Sequence, residues 1–142
     1  MCLAVLRARK RFGQNFLVDP GMIQKIIGSF NIRPGDHIVE IGPGRGALTQ
    51  PLYDDRCDLT LIEIDRDLGA ELSVRFPDAG LINEDVMTID FNRFAKQSLI
   101  RIIGNLPYNI STPLLFKLFD FGEHIQDMHF MLQREVVDRM TA

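Results

Sequence analysis

The hydrophobic positions along the chain follow two kinds of spacing. Short apolar runs, several of them with the β-branched residues typical of buried strands, occupy 37–41, 59–64, 80–83, 100–103 and 128–132. Between these runs, apolar residues recur at intervals of three and four, the spacing of one helix face. The alternation of strands and helices predicts βαβ units and therefore an α/β fold, a mostly parallel sheet flanked by helices.

Capping residues set the expected helix boundaries. Asp19 and Pro20 favour a helix that begins there, since Asp accepts hydrogen bonds at an N-cap and Pro suits the first helical position. The same argument places the start of the fourth helix at 111–113, with Phe119 facing inward. The other residues expected on inward faces are Met22, Ile23, Ile26, Ile27 and Phe30 in the first helix, Leu48 and Leu52 in the second, Leu68, Leu72 and Phe76 in the third, and Leu114, Leu115 and Leu118 in the fourth.

Composition fits one ordinary globular domain. The chain has 142 residues, of which 46% are hydrophobic and 25% charged, and its net charge is −3. A net negative charge does not favour nucleic-acid binding as such, because phosphate contacts need clustered basic residues. The first eleven residues, however, hold four basic groups and no acid, so one end of the chain can contact phosphates or is simply a solvated terminus.

Cysteines and apolar runs favour a cytoplasmic protein. Cys2 and Cys57 fit neither a disulfide framework nor a metal-ligand spacing, which indicates a reducing compartment. No apolar run approaches the roughly 20 residues of a membrane span, so we expect no membrane association. The basic cluster at 7–11 leaves a mitochondrial presequence as the less favoured alternative.

A glycine-rich segment joins the first predicted strand to the second predicted helix. Glu40 precedes Ile-Gly-Pro-Gly-Arg-Gly at 41–46, where Gly42 and Gly44 let a ligand approach the backbone at a helix N-terminus. With Ala47 the segment also satisfies the loose dinucleotide pattern, so NAD remains open at this point. Glu40 argues against a pyrophosphate and favours a sulfonium cofactor with an amino-acid tail, unless it only forms a salt bridge or caps an amide.

Polar residues follow the later strands at the same edge of the predicted sheet. Glu63 ends the second strand, roughly 20 residues after the glycines, where a carboxylate can accept the hydroxyls of a ribose of NAD or S-adenosylmethionine. Asp85 follows the third strand and can read the amino edge of an adenine, although either acid alone also fits a solvated loop. The tetrapeptide Asn105-Leu106-Pro107-Tyr108 follows the fourth strand, and its amide, carbonyl and ring suit a planar heterocycle with an exocyclic amino group, such as adenine.

Together these motifs resemble a known family. Segment 9–17, the Glu-x-Gly-Pro-Gly loop, segment 62–66 and segment 105–111 are similar, in the same order, to the small-subunit ribosomal RNA adenine dimethyltransferases. The resemblance implies a Rossmann-like fold, S-adenosylmethionine as the cofactor and no metal, and two methylations at N6 of each of two adjacent adenines. It also implies that the small-subunit ribosomal RNA, within a pre-ribosomal small subunit, is the partner of a monomeric parent protein.

The resemblance assigns roles to individual residues. It implies that Asn15 and Leu17 cover the cofactor and that Gly42 faces its methionine part. Glu40 and Gly44, in the same loop, are also predicted to bind the cofactor. Glu63 would hold the ribose, Asp85 the adenine, and Asn105 would lie nearest the transferred methyl group. The catalytic set is Asn105, Leu106, Tyr108 and Phe130, with Phe130 packing on the target base opposite Tyr108, although sequence alone favours a core position for Phe130.

The resemblance also sets the expected domain limits. Residues 9–142 correspond to an incomplete S-adenosylmethionine-dependent methyltransferase domain, and 1–8 have no assignment. The family continues with two further strands and a helical C-terminal domain, and we expect both to be missing here. Two other functions remain open at this point: a non-catalytic RNA-binding or ribosome-assembly fragment, and an NAD-binding oxidoreductase. His37, His124 and His129 are too scattered to predict a metal site.

Overall fold

A computed structural model of the chain describes residues 2–8, 19–55, 57–94, 99–106 and 108–133, with backbone alone for 2–8, 108, 132 and 133. Six strands and four helices lie in these ranges, joined in part by short 3-10 turns. The strands are β1 (Cys2–Ala8), β2 (His37–Ile41), β3 (Asp58–Ile62), β4 (Gly80–Ile82), β5 (Ile100–Asn105) and β6 (Ile125–Gln133); the helices are α1 (Pro20–Phe30), α2 (Thr49–Asp54), α3 (Arg66–Arg75) and α4 (Tyr108–Phe119); the turns are Val86–Thr88, Phe91–Phe94 and Gly122–His124.

The described strands form one parallel sheet in the order β1-β6-β5-β2-β3-β4. The chain runs from β2 through β3 to β4 on one side, and it returns to the other side of β2 for β5 and β6. The strand order therefore reverses between β2 and β5. In open α/β sheets a ligand binds in the crevice outside the carboxyl ends of the strands at such a reversal. The predicted α/β class and parallel sheet are confirmed.

Helices cover both faces of the sheet, because residues of a strand alternate between its two faces. One buried cluster joins Ile38 of β2 to α1, α2 and α3, and the other joins Val39 of the same strand to α4 and the turn Val86–Thr88. Within the described residues, no helix is long and apolar enough to cross a membrane. The sheet is thus the middle layer of three.

The first helix confirms its prediction in detail. The Asp19 side chain accepts a hydrogen bond from the Gly21 amide at 2.9 Å, and Pro20 is the first helical residue. Ile26 and Phe30 are fully buried, while the other three residues predicted on this face are partly buried against the same cluster. A local capping signal and an apolar face agree here, which is why the sequence was sufficient.

The last helix departs from its prediction. It begins at Tyr108 and carries Pro113 as its sixth residue. A proline at that point removes one helical hydrogen bond, the one to the carbonyl of Asn109, which is an exposed residue. Phe119 was predicted to face inward and is 46% exposed, because Leu118 fills the inward direction at the end of the helix.

Several strands also have different limits from those predicted. β3 ends at Ile62, two residues early, so that Glu63 follows the strand; β5 continues to Asn105, and β6 is longer at both ends. β1 lies in the segment that had no assignment and pairs with β6 along its whole length. The apolar run at 2–6 was the available signal for this strand, and the strand prediction omitted it.

Candidate functional site

A cavity of about 510 Å³ lies at the carboxyl ends of the central strands. Its volume falls within the range of roughly 300 to 1,000 Å³ that small-molecule sites occupy. The lining residues come from the ends of β2, β3 and β5, from the segment after β4 and from the first turn of α4: Ile41, Gly42, Ile62, Glu63, Ile64, Glu84, Asp85, Val86, Asn105, Leu106, Asn109 and Ile110. Five predicted site residues, namely Gly42, Glu63, Asp85, Asn105 and Leu106, therefore line one cavity.

Gly42 begins the glycine-rich loop with a backbone conformation that favours glycine. Its φ is +67°, and its amide donates to the carbonyl of Ile62 at 2.9 Å. A Cβ built at Gly42 would lie 3.5 Å from the carbonyl oxygen of Asn105. The loop thus runs directly beside the end of β5, and no side chain separates it from Asn105.

Glu63 ties two loops together. The residue is 6% exposed, and its two carboxylate oxygens accept hydrogen bonds from the amides of Gly44 and Asp65, each at 3.0 Å. A carboxylate oxygen has two lone pairs, so each still has one with which to accept a hydroxyl proton. The geometry suits the predicted contact with a ribose and adds a structural role that the sequence did not indicate.

Asn83 supports Glu63 and was missed by sequence reasoning, which saw in it only the end of a strand. Its side-chain nitrogen donates to the carbonyls of Glu63 at 2.8 Å and Asp65 at 3.2 Å. The turn after β3 is therefore fixed from β4. An amide at the carboxyl end of a neighbouring strand was the available signal, since consecutive strand ends converge at this edge.

Asp85 lines the cavity from the segment after β4. One carboxylate oxygen accepts the amide hydrogen of Met87 at 2.9 Å and so caps the turn Val86–Thr88. Its other oxygen, Oδ2, has no hydrogen-bond partner among the described residues. Asp85 can therefore accept a hydrogen bond from a ligand without giving up its structural one.

Asn105 and Leu106 close the opposite wall. Asn105 is the last residue of β5, and the Leu106 amide donates to the carbonyl of Met131 at 3.1 Å, which continues the pairing with β6. No described residue forms a hydrogen bond with the side-chain amide of Asn105. The amide is therefore available to a ligand, and Asn109 and Ile110 beside it extend the wall.

Glu40 occupies a different position from the one predicted for it. It is 1% exposed, it does not line the cavity, and one carboxylate oxygen accepts the Thr49 hydroxyl at 2.5 Å. Burial raises the pKa of Glu40 from 4.5 to about 8; the Thr49 hydrogen bond lowers it in part, and nearby Glu63 raises it further. The Glu40 side chain therefore contacts Thr49, the first residue of α2, and forms neither the salt bridge nor the amide cap considered above.

The remaining predicted site residues divide into two groups. Phe130 is fully buried in the core cluster around α4, so the structure agrees with the core position and not with an accessible stacking surface. Gly44 contributes its amide to Glu63 and does not line the cavity. Asn15, Leu17 and the side chain of Tyr108 lie outside the described residues.

The charges of the cavity favour a cationic or neutral polar ligand. Glu63, Glu84 and Asp85 line it, and no lysine or arginine is among its described lining residues. Carboxylates repel a pyrophosphate and attract a sulfonium or ammonium group. Among the described residues there is also no cluster of three or more side chains that could hold a metal ion.

Comparison with known sequences connects this geometry to a family. The family model described as ribosomal RNA adenine dimethylase matches residues 5–142. Ribosomal RNA small subunit methyltransferase A of Acinetobacter baylyi is 56% identical over 140 residues, 96% of this chain and 51% of the relative. The corresponding protein of Proteus mirabilis is 53% identical, over 95% of this chain and 52% of the relative. The chain spans about half the length of the curated relatives that it matches.

Comparison of structures gives the same result. A dimethyladenosine transferase from Plasmodium falciparum is 30% identical with a TM-score of 0.71, over 87% of this chain and 45% of that one. The 23S rRNA methyltransferase ErmE is 28% identical with a TM-score of 0.66, over 85% of this chain and 49% of that one. A magnesium protoporphyrin IX methyltransferase from Synechocystis, solved with bound SAM, is 15% identical with a TM-score of 0.56 over 82% and 56%, a likeness of fold alone.

Proposed function

Because the chain belongs to the ribosomal RNA adenine dimethylase family, we propose that it is the cofactor-binding and catalytic part of a small-subunit ribosomal RNA adenine N6-dimethyltransferase. The observation that carries the proposal is the cavity in which Gly42, Glu63, Asp85 and Asn105 converge. These are the residues to which the family resemblance gives cofactor contacts.

The cavity fits S-adenosylmethionine better than NAD. Three carboxylates face it, and among its described lining residues no basic side chain would neutralise a pyrophosphate. A zwitterionic tail and a positive sulfonium need no such partner. Ile41, Ile62 and Ile64 form the apolar part of the lining, and Ile64 is 64% exposed, so it can cover a bound adenine ring.

Each polar residue has a defined task toward the cofactor. Glu63 accepts the ribose hydroxyls with its unused lone pairs, and Asp85 accepts the adenine amino group with Oδ2. Gly42 leaves the backbone open for the methionine part. When bound, S-adenosylmethionine supplies an electrophilic methyl group.

The residues after β5 act on the target base. The N6 lone pair of adenine is delocalised into the ring, which makes the amine a poor nucleophile. The Asn105 side-chain oxygen and the Leu106 carbonyl accept the two N6 protons and localise the lone pair, while Tyr108 stacks on the flipped base. No strong general base is needed, because the methylated amine is acidic and loses its proton readily. A second methylation further requires the first methyl group to rotate away from the acceptors.

The proposal includes the setting of the reaction. The substrate is small-subunit ribosomal RNA in a pre-ribosomal particle in the cytoplasm, and the parent protein acts as a monomer in ribosome biogenesis. The support for this setting is the family and its named relatives.

Calorimetric titration of S-adenosylhomocysteine into the purified chain tests the cofactor assignment, with NADH as the control ligand. Saturable binding of S-adenosylhomocysteine alone is the expected result. A chain that shows cooperative unfolding but binds neither ligand, or binds only NADH, would refute the assignment. A folded chain that binds the cofactor but never methylates under-methylated small subunits would instead favour a non-catalytic assembly factor.

Tyr108→Ala separates cofactor binding from base recognition. Stacking of a base on an aromatic side chain is worth roughly 1 to 3 kcal/mol, so the variant should lose most methyl transfer to under-methylated small subunits. Calorimetric affinity for S-adenosylhomocysteine should equal that of the wild type. Loss of both properties together would contradict this division of roles.

A further inference from the structure

Lys117 is the only charged residue in the sequence of α4, and its ammonium group contacts the turn Val86–Thr88. The sequence around it, Leu-Leu-Phe-Lys-Leu-Phe, is otherwise apolar. Its ammonium group donates to the carbonyls of Met87 at 2.6 Å and Val86 at 3.3 Å, and it lies 5.9 Å from the centre of the Phe91 ring. A half-buried lysine with two backbone acceptors therefore joins α4 to the turn Val86–Thr88.

This turn is the one that Asp85 caps. The Asp85 carboxylate accepts the Met87 amide at its start, and the Asp85 carbonyl accepts the Thr88 hydroxyl at 2.8 Å. Lys117 binds the carbonyls at the other end, where a positive charge is favourable. The short turn is thus held at both ends, and Asp85 at its start lines the cavity.

We propose that Lys117 is a positioning residue for adenine recognition: it fixes the turn that presents Asp85, and so sets the preference of the cavity for a ring with an exocyclic amino group. The inference rests on the proposed function. A three-residue turn with a single cap would hold Asp85 weakly. A hydrogen bond from the amino group to Asp85 is strong only when the carboxylate is accurately placed, so the second support matters.

The test compares two ligands that differ at position 6 of the base, where an amino group is replaced by an oxygen and N1 gains a proton. S-Adenosylhomocysteine carries the amino group that Asp85 accepts, and S-inosylhomocysteine carries an oxygen there. We expect Lys117→Met to weaken S-adenosylhomocysteine by roughly three- to tenfold, the worth of one net hydrogen bond, and to leave the inosyl analogue unchanged. Lys25→Met, which removes a charge from an exposed position of α1, is the matched control and should change neither affinity.

Other variants distinguish positioning from general support. Asp85→Asn should lose the same ligand preference, and adding Lys117→Met to it should cause no further change. Lys117→Gln, which can still donate to one carbonyl, should give an intermediate preference and keeps the test available if the methionine variant does not fold. An equal loss for both ligands, or a preference that no Lys117 variant alters, would overturn the inference.

The same titrations distinguish a failure of the Lys117 role from a failure of the cofactor assignment. A folded wild-type chain that does not bind S-adenosylhomocysteine refutes the cofactor assignment and, with it, the role of Lys117. A wild type that binds S-adenosylhomocysteine more tightly than the inosyl analogue, while Lys117→Met binds both as the wild type does, refutes Lys117 alone.

Discussion

Gly104 allows β5 to approach β2 closely beside the site. A Cβ built there would lie 2.5 Å from the carbonyl oxygen of Ile41, a separation that real side chains do not adopt. Gly104 is paired with Ile41 across β5 and β2. The next residue on each strand is a site residue, Asn105 or Gly42, so this close approach sets the distance between them.

Gly104→Ala should therefore destabilise the protein and the site together. The new methyl group meets backbone, which cannot move without separating β2 from β5, and such overpacking typically costs about 1 to 3 kcal/mol. Urea unfolding should show this loss. Gly28→Ala is the control, because it lies in α1 with open space around it and should stabilise by about 0.5 to 1 kcal/mol. Equal stability of the two variants would contradict the argument.

Glu40 should make stability depend on pH. Its folded pKa, about 8, lies above the unfolded value of 4.5, so folding favours the protonated form. Its contribution is complete below pH 4.5 and is lost as the pH rises toward about 8. In that window the free energy of unfolding should fall by about 1.4 kcal/mol per pH unit through this one proton.

Glu40→Gln isolates this effect, since the amide oxygen still accepts the Thr49 hydroxyl and cannot ionise. The difference in free energy of unfolding between wild type and variant, measured by urea across the window, removes the contributions of the histidines. The variant should gain on the wild type as the pH rises. Parallel profiles would show that Glu40 does not titrate in this way.

The sequence predicted the residues that line the cavity more successfully than the residues that hold those side chains in place. Glu63 and Asp85 follow strands, Asn105 ends one, and parallel strands end at one edge, so their convergence followed from the fold alone. Asn83 and Lys117 act through backbone carbonyls of other elements. A carbonyl is present at every residue, so the position of Asn83 at a strand end was its only signal, and no side-chain pattern indicated the contact of Lys117.

Elements were predicted well where a local signal and the packing agree. α1 has both an N-cap and an apolar face, whereas α4 begins before its apparent capping signal and leaves Phe116 and Phe119 exposed. The last turn of α4 carries more apolar side chains than the adjacent sheet face can bury. The pattern therefore gave the existence and type of α4 but not its start or the direction of its last turn.

Arg101 joins four elements at the amino ends of the strands. It is 5% exposed and forms a bidentate pair with Asp127 of β6, a bond to Asp36 at 2.8 Å, and bonds to carbonyls at the end of α1. Burial opposes both shifts, but hydrogen bonds from His129 and Arg101 lower the pKa of Asp127, and those to Asp127 and Asp36 raise the pKa of Arg101. The guanidinium also lies over the Phe30 ring, 4.0 Å from its centre.

Arg101→Met should cost about 3 to 5 kcal/mol, because it removes the guanidinium from two largely buried carboxylates, and only Asp127 keeps another such contact, with His129. Urea unfolding at neutral pH measures the loss. Arg93→Met is the matched control: its pair with Glu84 is 3.4 Å long and about half exposed on both sides, so it should cost less than about 1 kcal/mol. Similar losses for the two variants would show that the buried ion pairs of Arg101 stabilise the protein no more than an exposed pair does.

At the scale of the whole molecule, the sheet separates a supporting end from a binding end. Arg101 is the second residue of β5 and Asn105 is the last. At a rise of roughly 3.3 Å per residue the two lie about 13 Å apart along the strand. Groups farther apart than about 7 to 10 Å and without shared partners usually contribute independently to stability.

This separation predicts how cofactor binding changes stability. S-Adenosylhomocysteine at a hundred times its Kd should raise the free energy of unfolding by about 2.7 kcal/mol, since it binds the folded chain alone. Arg101→Lys, which keeps the charge but loses the bidentate geometry, should lower the starting stability yet gain the same increment. Lys117→Met at the same ligand concentration should gain less, because its affinity is lower. A reduced increment in Arg101→Lys would mean that the contacts of Arg101, at the amino ends of the strands, affect cofactor affinity in the cavity at the carboxyl ends. The two ends of the sheet would then be energetically coupled and not independent.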